Sequence, residues 1–386
     1  MTLRVLSIFG TRPEAVKMAP VIQSLAQAPG IDSLVCVTAQ HRQMLDQVLQ
    51  LFNITPDVDL NLMKDDQNLV NLSADIFTHL DPVLADLKPD WILVQGDTTT
   101  VMASAVAAFY RRIRVGHVEA GLRTNDKWQP FPEEINRRLA SVVTDLHFAP
   151  TEWARQNLIR ENIPSSQIIV TGNPVIDALL AVVKMPPTAF VLELFKRIGI
   201  PHESLKASPP TAQAIPRLLL VTAHRRENFG KPLENICLAL KELADIYAGT
   251  LRIVYPVHLN PNVQVPVYRM LKDVPDIFLL PPLDYLPMVH LMKHSSLVLT
   301  DSGGLQEEAP TLGVPVLVMR AVTERPEGVS AGTVRLVGTD IDQIVNHVRN
   351  LLDDSQAYAA MAQAINPYGD GKAATRITSA LLNSSI

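Results

Sequence analysis

Carboxylate side chains follow two apolar runs that are typical of buried strands. Asp97 comes after residues 91–95, in the run Gly96-Asp97-Thr98-Thr99, and Glu119 comes directly after residues 115–118. Because parallel strands end at the same edge of a sheet, we expect both carboxylates to lie at that edge. Burial would suit Glu119 to proton transfer. Asp97 also fits a helix N-cap, since aspartate before threonines commonly caps a helix.

A third acidic group begins a predicted helix over residues 133–143. Glu133 and Arg137 lie four residues apart and share a helix face, as do Glu134 and Arg138. Such pairs are usually surface ion pairs worth only about 0.3–0.5 kcal/mol. The alternative is that one pair faces a site and that its arginine holds a reactive carboxylate.

Positive charges follow the first predicted strand, residues 3–9. Arg12 and Lys17 come after Gly10, at the start of the next predicted helix. A helix N-terminus favours anions, so this segment predicts a phosphate contact. The alternative is a turn with ordinary surface ion pairs. Neither Gly-x-Gly-x-x-Gly nor Gly-x-x-x-x-Gly-Lys-Ser/Thr occurs in the chain, which argues against a standard NAD fingerprint and a P-loop.

The most specific segment of the second half is the run from Thr300 to Glu308, Thr-Asp-Ser-Gly-Gly-Leu-Gln-Glu-Glu. A strand ends there, two glycines allow the backbone to approach a ligand, and a helix begins. This pattern predicts amide contacts to a diphosphate. Glu308 could accept hydrogen bonds from ribose hydroxyls, and Arg325 could add charge for a phosphate.

Histidines follow two further strands of the second half. His224 comes after residues 217–222 and precedes two arginines, so a structural and a catalytic role are both open. His258 has a similar position after residues 251–256. His290 and His294 are four residues apart, but no His-Glu-x-x-His pattern accompanies them, so we interpret them as structural.

The elements that must position these residues alternate along nearly the whole chain. Predicted strands cover residues 3–9, 34–38, 91–95, 115–118, 146–149, 217–222, 251–256, 277–280, 297–300 and 314–319. Predicted helices cover residues 13–27, 42–51, 69–87, 99–112, 133–143, 233–247, 263–272, 286–294, 305–312 and the tail from 341, apart from a break at 366–369. Buried strands that alternate with helices indicate parallel sheets covered on both faces.

A proline-rich segment, residues 185–217, separates two halves of similar size and reads as a connector or surface insertion. We therefore predict an α/β fold class with two Rossmann-like domains and a cleft between them. Ligands of such sheets bind at the carboxyl ends of the strands.

Composition excludes several classes of protein. The chain has 386 residues with 47% hydrophobic residues, enough to form sizeable cores, and its net charge of −5 argues against a dedicated nucleic-acid binder. Cys36 and Cys237 are the only cysteines, which excludes a disulfide framework and a cysteine zinc cluster. With no apolar run near the ~20 residues of a membrane span and no signal-peptide pattern, we expect a cytoplasmic protein that binds no membrane.

Motifs spread in order over nearly the whole chain resemble the non-hydrolysing UDP-N-acetylglucosamine 2-epimerases. The matching segments are residues 9–15 (Phe-Gly-Thr-Arg-Pro-Glu-Ala), 96–99, 117–124 (His-Val-Glu-Ala-Gly-Leu-Arg-Thr), 132–137, 172–177, 224–230 (His-Arg-Arg-Glu-Asn-Phe-Gly), 256–261 and 301–310. The resemblance implies a glycosyltransferase-B-like fold and the interconversion of UDP-GlcNAc and UDP-ManNAc, with no metal and no other cofactor. It also implies a homodimer.

The resemblance assigns expected roles to individual positions. The positions matching the catalytic set of the family are Asp97, Glu119, Glu133, Arg137 and His224. Those matching its UDP-sugar contacts are Arg12, Lys17, Ser302, Gly303, Gly304, Glu308 and Arg325. Some family members carry a second, activating UDP-GlcNAc site, near positions matching Gln40, Gln43, Glu134 and His258. Polar residues at the start of a helix are also ordinary, so this allosteric site is a hypothesis.

The expected domains are residues 1–172 with the acid/base carboxylates and residues 173–365 with the UDP site. The resemblance implies that residues 366–386 pack back on the first domain. A glycosyltransferase of the same fold would share the UDP site without needing three carboxylates in the first domain. A non-catalytic UDP-sugar sensor would bind the nucleotide sugar without turnover. A hydrolysing epimerase would release free ManNAc.

Overall fold

The computed structural model describes residues 2–38, 42–62, 67–200 and 216–384, without the side chains of Arg42 and Gln43. The chain forms two compact units, Met1–Leu180 with Tyr368–Ile386, and Ala181–Pro367. The first unit thus extends past the predicted boundary at residue 172. Asp177 accounts for this, because its carboxylate accepts the backbone N–H groups of Ala373 and Ala374 at 3.2 and 3.0 Å and so joins the two segments of the unit.

The first unit contains a seven-stranded parallel sheet with the order β3-β2-β1-β4-β5-β6-β7. Its strands are β1 (Leu3–Phe9), β2 (Ile31–Val37), β3 (Val58–Asp59), β4 (Trp91–Gln95), β5 (Arg114–Val118), β6 (Leu146–Ala149) and β7 (Ile168–Val170). Its helices are α1 (Arg12–Gln27), α2 (Arg42–Leu51), α3 (Leu69–Leu87), α4 (Thr99–Tyr110), α5 (Glu133–Val143), α6 (Glu152–Arg160) and α7 (Pro174–Val182), which runs past Leu180.

The second unit contains a six-stranded parallel sheet with the order β10-β9-β8-β11-β12-β13. Its strands are β8 (Arg217–Thr222), β9 (Leu251–Pro256), β10 (Ile277–Leu280), β11 (Leu297–Thr300), β12 (Val316–Val318) and β13 (Val334–Leu336). Its helices are α8 (Ala189–Arg197), α9 (Lys231–Ile246), α10 (Pro261–Leu271), α11 (Tyr285–Lys293), α12 (Gly303–Glu308), α13 (Pro326–Ser330), α14 (Ile341–Asp353) and α15 (Ser355–Ala362).

The last helix, α16 (Ala373–Asn383), belongs to the first unit. It packs against α1, where the hydroxyls of Ser24 and Thr378 lie 2.8 Å apart. The chain therefore returns to its first unit after it has completed the second.

The two strand orders confirm the predicted α/β class. Two Rossmann-like sheets are also the components of a glycosyltransferase-B-like fold. The central strands are apolar and wholly buried, as in the run Trp91–Gln95, because helices cover both faces of each sheet. Three strands at sheet edges were not predicted, namely β3, β7 and β13. Each has only two or three residues, too few for a periodic pattern.

The proline-rich segment contains a helix, α8 (Ala189–Arg197), near residues 190–199, the part of the segment where the sequence shows periodicity. Helix α8 buries Val191, Leu194 and Phe195, and the Phe195 ring meets the His294 ring edge-on at 5.3 Å. This part of the segment is packed in the second unit. Residues 201–215 lie outside the described part of the chain.

Within the described ranges, the structure has no helix with the length and apolar character required to cross a membrane.

We expect the protein to lose stability in mild acid because two of its histidines are buried. His117 and His147 are paired in register on β5 and β6, and burial lowers the pKa of His117 to about 3 and that of His147 to about 4. Between about pH 6.5 and pH 4 the unfolded chain binds protons that the folded chain does not. The free energy of unfolding therefore falls with falling pH, by about 1.4 kcal/mol per pH unit for each histidine. Urea unfolding at several pH values measures how the free energy of unfolding depends on pH. We expect this dependence to be weaker in His147→Gln, and an unchanged dependence would contradict the role of His147.

Candidate active-site residues at the strand ends

The sheet topology brings particular turns together within each unit. Strand β1 lies beside β4 in the first sheet, and β8 lies beside β11 in the second. These pairs are the points at which the strand order reverses, where open α/β sheets bind their ligands beyond the carboxyl ends of the strands. Half of the predicted site residues lie in the turns after β1, β4, β8 and β11 or in the helices that those turns begin.

A buried carboxylate, Glu14, links the turns after β1 and β4. Its Oε2 accepts the backbone N–H groups of Gly10 and Thr11 at 2.9 and 2.7 Å, and its Oε1 accepts the Thr98 hydroxyl. Burial raises the pKa of Glu14, although these hydrogen bonds oppose the shift. Glu14 is not among the residues predicted from the sequence, although the Thr-x-x-Glu capping box that begins α1 could have indicated it.

Asp97 is held by Arg137, the arginine at the fifth position of α5. The Arg137 Nη2 lies 2.5 Å from Oδ2 of Asp97, and the Asn136 side chain donates to the Asp97 carbonyl at 3.1 Å. Thr98, not Asp97, caps α4 by accepting the Val101 N–H. The Asp97 side chain remains 29% exposed, whereas Arg137 is buried. The structure thus presents a partly accessible carboxylate fixed by a buried guanidinium.

The two acidic residues at the start of α5 have different surroundings. Glu134 is buried and accepts the backbone N–H groups of Thr124 and Asn125 at 3.0 and 3.1 Å. It also lies 3.1 Å from Arg138, as the i, i+4 spacing predicted. Glu133 is half-buried at the first position of the helix. Glu134 therefore organises the loop that precedes α5.

Glu119 is the most enclosed of the predicted carboxylates. Its side chain is 5% exposed and accepts from Lys17, from the Gln95 amide and, at 2.7 Å, from the Asn173 amide. Its backbone φ of 63° lies in the left-handed region, which is costly for a residue with a Cβ. The three donors, from α1, β4 and the turn before α7, hold the Glu119 side chain in this conformation. Lys17, a predicted phosphate contact, has Glu119 as a partner in this structure.

His117 supports the turn that contains Asp97. Its Nε2 lies 2.7 Å from the Gly96 carbonyl oxygen, and burial lowers its pKa to about 3, so the ring is neutral and donates through Nε2. Gly96 has a φ of 82°, which favours glycine. His117 lies in one of the matching motifs but had no predicted role. The sequence does not show which distant group a histidine in a buried strand contacts.

In the second unit, His224 lies beside a buried aspartate. His224 follows β8, and its Nδ1 is 3.3 Å from Oδ1 of Asp301, which follows β11. The His224 ring stacks on the His258 ring with centroids 5.6 Å apart. Burial lowers the pKa of His224, while the Asp301 carboxylate opposes that shift. Asp301 was part of a quoted motif but had no assigned role.

The predicted diphosphate segment begins α12, with Ser302 in the N-cap position. A Cβ on Gly303 would lie 2.4 Å from an Arg325 guanidinium nitrogen, so glycine at this position makes room for the arginine. Arg325 in turn donates to the buried Glu307. The predicted ribose contact, Glu308, accepts the Tyr285 hydroxyl at 2.6 Å.

Arg320 and Glu324 reinforce the loop that carries Arg325. Arg320 donates to Glu227 and, at 2.6 Å, to Glu324. Although burial raises the pKa of Glu324, the nearby Arg325 and Arg320 lower it to about 2 overall. This loop is therefore held by ion pairs, a feature that sequence spacing did not predict.

Of the predicted allosteric residues, only two have described side chains. Gln40 and the Gln43 side chain lie outside the described part of the chain. Glu134 is buried in the first unit, and His258 is an exposed residue of the second, where its Nδ1 accepts the Asn260 N–H at 3.1 Å. The remaining predicted contact, Arg12, is the first residue of α1.

Comparison with known proteins gives consistent similarities. Residues 23–382 match the model of a family described as UDP-N-acetylglucosamine 2-epimerase. The chain is 54% identical over 384 residues to UDP-N-acetylglucosamine 2-epimerase of Escherichia coli K12, covering 100% of both chains. It is 50% identical to the Neisseria meningitidis UDP-GlcNAc 2-epimerase bound to UDP-GlcNAc, with a TM-score of 0.87 and coverage of 99% and 100%. A co-structure of S. aureus MnaA with UDP has 43% identity, a TM-score of 0.87 and coverage of 100% and 97%.

Replacement of Glu14 tests its structural role. Glu14→Leu leaves two buried N–H groups without an acceptor, so we expect the free energy of unfolding to fall by about 2–4 kcal/mol. In Glu14→Gln the amide oxygen can accept both N–H groups while the NH2 group donates to Thr98, so we expect a loss below about 1 kcal/mol. Urea unfolding measures both values. Equal losses in the two variants would show that the hydrogen bonds do not matter.

Proposed function

The chain belongs to the UDP-N-acetylglucosamine 2-epimerase family, and from that membership we propose that it interconverts UDP-N-acetylglucosamine and UDP-N-acetylmannosamine. The main support for this proposal is the full-length similarity to the E. coli enzyme, at 54% identity. The strand ends supply the kinds of group that this reaction requires, namely carboxylates, a histidine, and cations near glycine-rich turns.

The chemistry explains why carboxylates and a diphosphate site must act together. Carbon 2 of the sugar carries a proton that has no adjacent carbonyl and is not acidic in the ordinary sense. Its removal becomes feasible if the C1–O bond breaks, with the electron pair leaving on UDP and the C2–H pair forming the C1–C2 double bond. The products are 2-acetamidoglucal and UDP. Re-addition of UDP with protonation from the opposite face inverts carbon 2.

We assign proton transfer to the first unit. Asp97, Glu119 and Glu133 form the acid/base set, and Arg137 orients Asp97 through the observed ion pair. The three donors around Glu119 support a fixed orientation for its carboxylate. Which carboxylate removes the proton stays open in this proposal.

We assign the nucleotide to the second unit, with contributions from Arg12 and Lys17 of the first. Ser302, Gly303 and Gly304 would offer backbone N–H groups to the diphosphate, and Glu308 would accept from the ribose. Arg325 and His224 would stabilise the negative charge of the leaving group. No cofactor is required, since the base, the acid and the leaving group are all present in the protein and its substrate.

The remaining expectations are further parts of the proposal. We infer a cytoplasmic homodimer that supplies ManNAc for cell-envelope polysaccharide. Activation by UDP-GlcNAc through Gln40, Gln43, Glu134 and His258 is a separate hypothesis. Its test is the rate of UDP-ManNAc consumption. Activation predicts a faster initial rate when UDP-GlcNAc is added. A rate that depends hyperbolically on UDP-ManNAc concentration and does not rise with added UDP-GlcNAc would refute the hypothesis.

Incubation with UDP-GlcNAc in D2O, followed by NMR of the sugar, tests the proposed reaction. We expect UDP-ManNAc that carries deuterium at carbon 2. A glycosyltransferase would leave carbon 2 unexchanged, a sensor would bind without turnover, and a hydrolysing epimerase would release free ManNAc. Each of those three results would overturn the proposal.

Removal of individual charges tests the acid/base set. We expect kcat to fall by about 100-fold or more in Asp97→Asn and in Glu133→Gln, because each loses a proton-transfer group, while UDP binding persists. Asp81→Asn is a matched control, since Asp81 also pairs with an arginine, Arg111, but lies on α3 away from the strand ends. Near-normal kcat in the Asp97 and Glu133 variants would refute their roles.

Two glycine substitutions test the diphosphate segment. In Gly303→Ala the new Cβ displaces the Arg325 guanidinium, so we expect UDP binding to weaken by about 10-fold, the effect of one charged contact. In Gly304→Ala the Cβ lies 3.5 Å from Glu308, an ordinary contact, and we expect a smaller effect. Calorimetry with UDP measures both affinities. Equal affinities of Gly303→Ala and the unsubstituted protein would contradict the role of Arg325.

A further inference from the structure

Asp301 is a buried carboxylate to which the proposed reaction gives no role. It is 0% exposed at the end of β11. Its Oδ2 accepts the backbone N–H groups of His224 and Arg225, each at 2.8 Å, and the Asn228 side-chain amide at 3.0 Å. The turn after β8 is therefore fixed to the end of the neighbouring strand by one oxygen atom.

The other carboxylate oxygen of Asp301 faces the His224 imidazole. Oδ1 lies 3.3 Å from Nδ1, and no donor in the described ranges completes a hydrogen bond to it. A buried carboxylate oxygen without a donor is unfavourable, and Nδ1 is the ring nitrogen beside it. A proton on Nδ1 satisfies this oxygen.

The other charged and titratable groups around His224 oppose the effect of Asp301 on the pKa of the ring. Burial lowers the pKa of His224, Asp301 raises it, and Arg225 and His258 lower it further. The His224 side chain is still 37% exposed and can contact a ligand. Asp301 is thus the neighbouring group that favours a protonated imidazole at this turn.

We propose that Asp301 is a positioning residue that holds the Nδ1 proton of His224, so that Nε2 is the nitrogen offered to the diphosphate. This deepens the proposed function and rests on it. The negative charge of a bound diphosphate favours uptake of a second proton from solvent at Nε2. When the C1–O bond breaks, its electron pair stays on the diphosphate oxygen, and the doubly protonated ring donates a hydrogen bond to that oxygen through Nε2. No proton has to leave the histidine in this step. The role of Asp301 is comparable to that of the aspartate which orients a catalytic histidine in other enzymes.

Nitrogen NMR of the imidazole ring tests the proposal directly in the unsubstituted protein. With histidine labelled by nitrogen-15, and the His224 signals assigned by their loss in His224→Gln, we expect the neutral ring to carry its proton on Nδ1. A neutral ring that carries its proton on Nε2 would overturn the proposal. This measurement needs no turnover, so it decides the role of Asp301 even if the proposed reaction fails.

Asp301→Asn supplies the second test. The asparagine oxygen can still accept the backbone N–H groups, but its NH2 group then faces Nδ1, which must become an acceptor. We expect the proton of the neutral ring to move to Nε2, the pKa of His224 to fall, and kcat to fall by about 100-fold with KM changed less than about 3-fold. An unchanged His224 spectrum would overturn the proposal.

Two further variants separate positioning from general damage. Asp276→Asn is the matched control, because Asp276 also accepts a backbone N–H, from Gly249 at 2.7 Å, but precedes β10 at the opposite edge of the same sheet. We expect it to leave the His224 spectrum unchanged. In the double variant Asp301→Asn/His224→Gln we expect no loss of kcat beyond that of His224→Gln. Losses that multiply would show that Asp301 acts independently of His224.

Discussion

A buried carboxylate at the point where the strand order reverses is the constraint on which each unit depends. Parallel strands bring two turns to the same edge of the sheet, and several backbone N–H groups of those turns donate to a side chain rather than to a strand. Glu14 accepts two of them in the first unit and also binds Thr98 of the neighbouring turn. Asp301 accepts two in the second unit. The turns that carry the candidate site residues are therefore fixed before any ligand binds.

Three of the candidate cations share a second property, since each of the three is paired with a carboxylate of its own unit. Lys17 contacts Glu119, Arg137 contacts Asp97, and Arg325 contacts Glu307. Such pairs keep charged groups buried without an unpaired charge, and they also fix the direction of each carboxylate. A diphosphate that binds to Lys17 and Arg325, as we propose, must compete with the carboxylates that already pair with them. Nucleotide binding and the arrangement of the acid/base groups are therefore coupled electrostatically in the proposed reaction.

The sequence was a good guide wherever a structural feature depends on neighbouring residues. Long apolar strands and their helices were predicted closely, whereas the edge strands β3, β7 and β13 are too short to show a pattern. Spacing also paired Glu134 with Arg138 correctly. It could not show that Arg137 reaches Asp97, or which groups Glu14 and Asp301 contact, because those contacts join segments that are distant in the chain and depend on strand order.

The proposed reaction requires the C1–O bond to break before carbon 2 inverts, and the anomeric oxygen reports this order. UDP-GlcNAc would be labelled with oxygen-18 in the bridge between carbon 1 and the β-phosphorus, and the substrate recovered after partial turnover would be examined by phosphorus NMR. Release of UDP before carbon 2 inverts predicts label in the non-bridging oxygens of the β-phosphate. Label that stays wholly in the bridge while UDP-ManNAc accumulates would show that carbon 2 inverts without release of UDP.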